Sequence, residues 1–123
     1  MRSFEIPVQE ITDLVTSKVY KIKISPDTVD INRVTKMGFG RDPVYSIPRR
    51  SLMKIDFEKR LVPKTGNSKG LIEKWDIILE DRENVCRFEM FQCDKYKATR
   101  YRDRAYKILR WNPTATDGPI RRK

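Results

Sequence analysis

At 123 residues the chain is long enough for one domain with a real core and no metal or disulfide staples. Hydrophobic residues make up 38% and charged residues 36%, which is wetter than an average globular domain yet too apolar for a disordered tail. Lys and Arg number 27 against 17 Asp and Glu, for a net charge of +10, and the absence of histidine removes the usual general base, the commonest zinc ligand and any Ser-His or Cys-His nucleophile pair.

The two cysteines, Cys86 and Cys93, do not form a zinc pattern. Strand alternation points them to opposite faces, so free thiols and a reducing intracellular compartment are expected. The longest uncharged apolar run, Ile77-Ile78-Leu79, cannot span a membrane. Residues 1–10 lack the apolar stretch of a secretory signal, and residues 120–123 match no lipidation motif.

In chain order, Phe4 to Val8 suits a short extended piece, after which Pro7, Val8, Ile11, Leu14 and Val15 suggest a short helix. Residues 18–24 alternate, with Tyr20, Ile22 and Ile24 on one face and Lys21 and Lys23 on the other, which predicts a strand. Ser25-Pro26-Asp27-Thr28 reads as a helix start, with Val29, Val34 and Met37 on one face and Gly38 as C-cap; Val29, Ile31 and Arg33 also fit a strand. Residues 38–43 are punctuated as a loop.

Residues 52–61 alternate again, Met53, Ile55, Phe57 and Leu61 against Lys54, Asp56, Glu58 and Arg60, as in a half-buried strand. Residues 62–70 form a turn or loop. Residues 71–91 predict a hairpin: Trp75, Ile77 and Leu79 face inward on its first strand, Cys86, Phe88 and Met90 on its second, and residues 81–84 make the turn. Asp94 caps a last helix whose apolar stripe is Ala98, Tyr101, Ala105, Ile108 and Leu109, and Asn112-Pro113 ends it. The expected class is α+β: a mainly antiparallel sheet of three to five strands, with the basic C-terminal helix packed on one face. Residues 1–113 form the domain and residues 114–123 a basic, flexible tail.

Charge is uneven. Residues 31–60 carry a net +5 and residues 95–123 a net +8, while the other two stretches are slightly acidic. The last helix holds Lys95, Lys97, Arg100, Arg102, Arg104, Lys107 and Arg110 with Asp103 as the only acid after its cap, so alternating ion pairs cannot lace it. Tyr96, Tyr101, Tyr106 and Trp111 interleave with these cations. Tyr96 and Tyr106 are candidates for base stacking; Tyr101 and Trp111 suit the core edge. A second basic cluster comprises Arg41, Arg49, Arg50, Lys54, Lys59 and Arg60, of which Arg49, Arg50 and Lys54 join the candidate binding set.

The carboxylate groups Asp56/Glu58 and Glu80/Asp81/Glu83 read as solvated surface, so neither catalytic residues nor a metal or cofactor site is expected. These features predict a non-enzymatic nucleic-acid-binding protein, for RNA or single-stranded DNA, acting alone or within a ribonucleoprotein with protein partners. The alternative is a structural or matrix-like protein on anionic membrane or acidic protein, and the third reading a small metal-dependent nuclease.

Overall fold

The computed structural model describes residues 2–11, 18–35, 40–64 and 69–112. Seven strands form one antiparallel sheet: β1 (Phe4–Gln9), β2 (Val19–Ile24), β3 (Thr28–Val34), β4 (Arg41–Pro48), β5 (Lys54–Pro63), β6 (Leu71–Glu80) and β7 (Val85–Met90). One helix, α1 (Lys95–Leu109), follows, and a short 3-10 turn, Arg49–Ser51, separates β4 from β5. The spatial order is β4-β3-β2-β1-β7-β6-β5. The α+β class and the antiparallel sheet are as expected, but seven strands replace the expected three to five.

Register explains the single core. Ile6 lies opposite Ile22, and Ile22 opposite Ile31. Val29 lies opposite Ile47, Val8 opposite Met90, Ile77 opposite Phe88, and Ile55 opposite Leu79. Directly opposed residues share a face, so each apolar alternation is placed on the same side of the sheet. Ala98, Ala105, Ile108 and Leu109 of α1 complete that core.

The sheet must curl strongly to do this. In a flat sheet β2 and β5 would stand four strand spacings apart, about 19 Å, yet α1, about 10–12 Å across, packs against both. Residues 49–53 also connect the two edge strands, and a link this short reaches only about 20 Å. The result is a trough with α1 lying in it.

Three local expectations are overturned. Pro7 and Val8 belong to β1, not to a helix; residues 12–17, where the rest of that helix was expected, lie outside the described residues. Pro7 accepts a hydrogen bond from the Phe91 N–H at the end of the short β1–β7 ladder, where a missing donor costs little.

Ser25-Pro26-Asp27-Thr28 is the turn of the β2–β3 hairpin, closed by the Ser25 N–H donating to the Thr28 carbonyl at 3.0 Å. Ser-Pro-Asp suits a β-turn as well as a helix start, and the β-branched residues that follow favour the strand. Gly38 and Met37 lie outside the described residues. Arg41, Asp42 and Pro43 are strand, not loop. β4 is an edge strand, so Pro43 and Pro48 cost it little, and Val44 bulges out of register between Pro43 and Tyr45.

The β5 and β6–β7 strands are found where expected, but β5 starts at Lys54 and takes in Val62 and Pro63, expected as loop, because both pair with β6; two expectations of burial also fail. Met53 and Leu61 are about half exposed, at 50% and 52%, and Leu52 is buried instead of Met53. The β5–β6 ribbon outruns β7, which pairs only with residues 76–80 of β6, so nothing from β7 covers its far end. Residues 65–68 and 113–123, which include the loop tip and the expected tail, lie outside the described residues.

Candidate nucleic-acid interface

Helix α1 starts and ends as its sequence dictates. The Asp94 carboxylate accepts from the Lys97 N–H at 2.8 Å. At the other end the Arg110 N–H donates to the Lys107 carbonyl and the Trp111 N–H to the Tyr106 carbonyl, a Schellman arrangement with Arg110 left-handed at φ 53 and ψ 48.

The helix's cations divide between two flanks. Lys97, Arg100, Arg104 and Lys107 recur three and four residues apart and line, with Tyr101 and Asp103, an open groove of about 520 Å³. Phe4 stacks on Tyr101 with ring centroids 6.2 Å apart. The Arg104 guanidinium lies 4.5 Å from the Phe4 centroid, and the Lys97 ammonium lies 5.9 Å from that of Tyr101. Arg100 sits 5.8 Å from the ring of Tyr96, which is 71% exposed. Among the described residues, none of Lys97, Arg100, Arg104 and Lys107 makes an ion pair, and the one acid of the groove, Asp103, is bridged at 3.0 Å by Arg102.

On the other flank Lys95 and Arg102 border a small cleft with Phe57, Trp75, Ala98 and Thr99. Tyr106 is half-buried there, its hydroxyl donating to the Ile55 carbonyl at 3.4 Å, so its ring packs on β5. Tyr96 is thus an exposed ring among the cations, and Tyr106 is held against the sheet.

The second basic cluster does not stay together. Arg49 is turned onto the end of α1: its Nε donates to the Leu109 carbonyl at 2.7 Å and its guanidinium lies 4.8 Å from the Trp111 ring. There it offsets the negative end of the helix dipole. Arg50, its neighbour in the 3-10 turn, is exposed. Lys54 alternates with inward Ile55 on the convex face and pairs with Asp56 at 3.6 Å. Arg41 pairs with Glu5 at 3.8 Å.

Arg60 is committed to a network that sequence reading missed. Asp76 is fully buried on the convex face, yet Arg60 donates to both its oxygens at 2.8 and 2.9 Å, and Arg87 donates to it at 2.9 Å. Glu89, Asp76 and Glu58 are direct cross-strand neighbours, so three carboxylates stand in a row. Arg60 and Lys74 also reach Glu89, and Arg87 reaches Glu58. These hydrogen bonds hold the Arg60 guanidinium well above its ordinary pKa, with Asp76 as the main cause. One carboxylate at the same register on each of three adjacent strands is the available signal, but it needs the pairing of β5, β6 and β7 to be known.

Cys86 and Cys93 are both free. Burial raises the pKa of the Cys86 thiol and pushes that of Cys93 up to about 11, so both are poor nucleophiles. Among the described residues no cluster of three or more His, Cys, Asp or Glu could hold a metal ion, and no helix is long and apolar enough to cross a membrane. The chain matches no protein-family model, and no curated protein matches it in sequence.

Proposed function

We propose that this protein is a non-enzymatic nucleic-acid-binding protein that engages RNA or single-stranded DNA through the solvent side of α1. The carrying observation is the row Lys97, Arg100, Arg104 and Lys107, four cations along one groove that make no ion pair among the described residues. The cations around Asp76 are matched by carboxylates, whereas these four line one groove and make no ion pair among the described residues. Phosphates would relieve the mutual repulsion and release counterions. Tyr96 supplies an exposed ring at the edge of that row.

A second reading, attachment to a protein partner within a larger assembly, is favoured by Leu61, Leu71 and Ile72, three exposed apolar side chains at the far end of the β5–β6 ribbon. The two readings are compatible, since the groove and the ribbon use different residues.

The test is titration of labelled oligo-uridylate and oligo-thymidylate at several salt concentrations, beside vesicles containing phosphatidylserine. Affinity for the oligonucleotides should fall steeply with salt. The triple substitution Arg100→Ala, Arg104→Ala, Lys107→Ala should weaken it about tenfold or more at moderate salt, as expected for two or three lost phosphate contacts. Vesicle binding without oligonucleotide binding would reject the proposal.

A further inference from the structure

We infer that the groove beside α1 seats the sugar-phosphate backbone of one strand over a few nucleotides, with Tyr96 stacking a base at its rim. The inference rests on the nucleic-acid reading above and adds how the ligand is held and how long a segment of it is read.

Lys97 to Lys107 spans ten residues of helix, about 15 Å. That length accommodates at most about four nucleotides at a stacked rise of about 3.4 Å, and fewer if the strand is extended. The successive cations stand three or four residues apart, roughly one helical turn of 5.4 Å, so they form a ladder rather than a point cluster.

The groove's volume of about 520 Å³ falls in the range that holds a small ligand. A groove of that size takes a single backbone with its sugars rather than a whole duplex. Three of the four cations already lie over a ring, Arg104 over Phe4, Arg100 over Tyr96 and Lys97 over Tyr101, and the closest of these contacts, that of Arg104, lowers the side-chain ordering that binding would otherwise require.

Asp103 would repel a phosphate if it were free, but its neighbour Arg102 pairs with it at 3.0 Å. Tyr96 joins the groove through Arg100, which both lines it and approaches the Tyr96 ring. A base leaving the backbone at Arg100 meets that ring. The contacts are to phosphate and to a ring face, so the readout is indifferent to sequence.

The experiment measures binding of labelled oligo-thymidylates of two to eight nucleotides, a 20-base-pair duplex and inorganic tripolyphosphate as competitor, using the full chain. Affinity should climb to about four nucleotides and then rise only as the number of overlapping registers does. Arg100→Ala with Lys107→Ala should reduce the slope of log affinity against log salt by about 1.4, two contacts at about 0.7 each. The charge-keeping pair Arg100→Lys with Lys107→Arg should retain the slope.

Tyr96→Ala should weaken the four-nucleotide ligand about fivefold or more, and weaken tripolyphosphate by less. All these side chains are outside the buried core, and thermal melts verify that each variant folds. Equal or tighter binding of the duplex, an unchanged salt slope, or equal losses for both ligands in Tyr96→Ala would overturn the groove while leaving nucleic-acid binding intact. Absence of binding to every oligonucleotide would overturn the functional reading as well.

Discussion

Asp76 shows how much one residue can carry. It has no exposed surface, yet it is a carboxylate in the middle of a sheet. Its burial is tolerable because Arg60 grips both oxygens and Arg87 adds a third charge-assisted bond. Each guanidinium is itself shared with a second acid, Glu89 or Glu58, so the cluster is a mesh rather than a pair. Asp76→Ala should cost about 3 kcal/mol in urea unfolding, near the lower end of the range for breaking a buried ion pair, because both arginines keep an acid. A loss below about 1 kcal/mol would show that Glu89 and Glu58 suffice. The same pairing separates Arg60 from the candidate binding residues, since its charge is already matched within the fold.

At the scale of elements, α1 performs two tasks on opposite sides. Ala98 and Ala105 are small enough to let the helix lie close to the trough, while Ile108 and Leu109 fill its end. The other side exposes Arg100, Arg104 and Lys107. Its C-terminus carries a local cost, because Arg110 occupies the left-handed region that favours glycine. Arg110→Gly should therefore raise stability by about 1 kcal/mol in the same unfolding assay. The effect on polyanion affinity is read independently, as one cation less in the salt slope. A destabilised Arg110→Gly would mean that the arginine side chain contributes more to the helix end than its backbone strain removes. Arg49 is the natural companion there, since it reaches the Leu109 carbonyl from the turn before β5.

For the molecule as a whole, the decisive feature is curvature. The edge strand β4 is joined to the β6–β7 turn by the Tyr45 hydroxyl, which donates to Asp81 and accepts from Asn84. Asp81 also accepts from the N–H groups of Glu83 and Asn84, so the turn and the closure share one carboxylate. The Tyr45 bond, and then the backbone N–H of Asn84, hold the Asp81 pKa below its ordinary 3.8, and the same bond to Asp81 holds the Tyr45 pKa above its ordinary 10.0.

The stability from Asp81 is present above pH 3.8 and is lost as pH falls through its lowered value. That from Tyr45 is present below pH 10.0 and is lost as pH rises through its raised value. Tyr45→Phe should lower the plateau between these limits, remove the tyrosine share of the alkaline loss and shrink the acid one. Melting temperature measured from pH 2 to 11 checks this, and unchanged limbs would assign the pH dependence to other groups.

Much of the fold is legible along the chain because a period of two or of about 3.6 is a local property. The alternations at Tyr20-Ile22-Ile24, Ile55-Phe57 and Trp75-Ile77-Leu79, the stripe of α1 and its Asp94 cap follow from neighbours a few residues apart, and so does the concentration of cations on that helix. Ser25-Pro26-Asp27 was ambiguous because a turn and a helix start ask for the same residues. Pro43 reads as loop from the sequence because only an edge position makes it acceptable in a strand. Which cations stay unpaired depends on which strands become neighbours. Pairing of β5, β6 and β7 consumes Arg60 and Arg87, and curling of the sheet brings Arg49 to the end of α1. Among the described residues Lys97, Arg100, Arg104 and Lys107 make no ion pair, and Asp103, the acid of their groove, pairs with Arg102 instead; a carboxylate neutralises a charge only through proximity in space, which position along the chain does not specify.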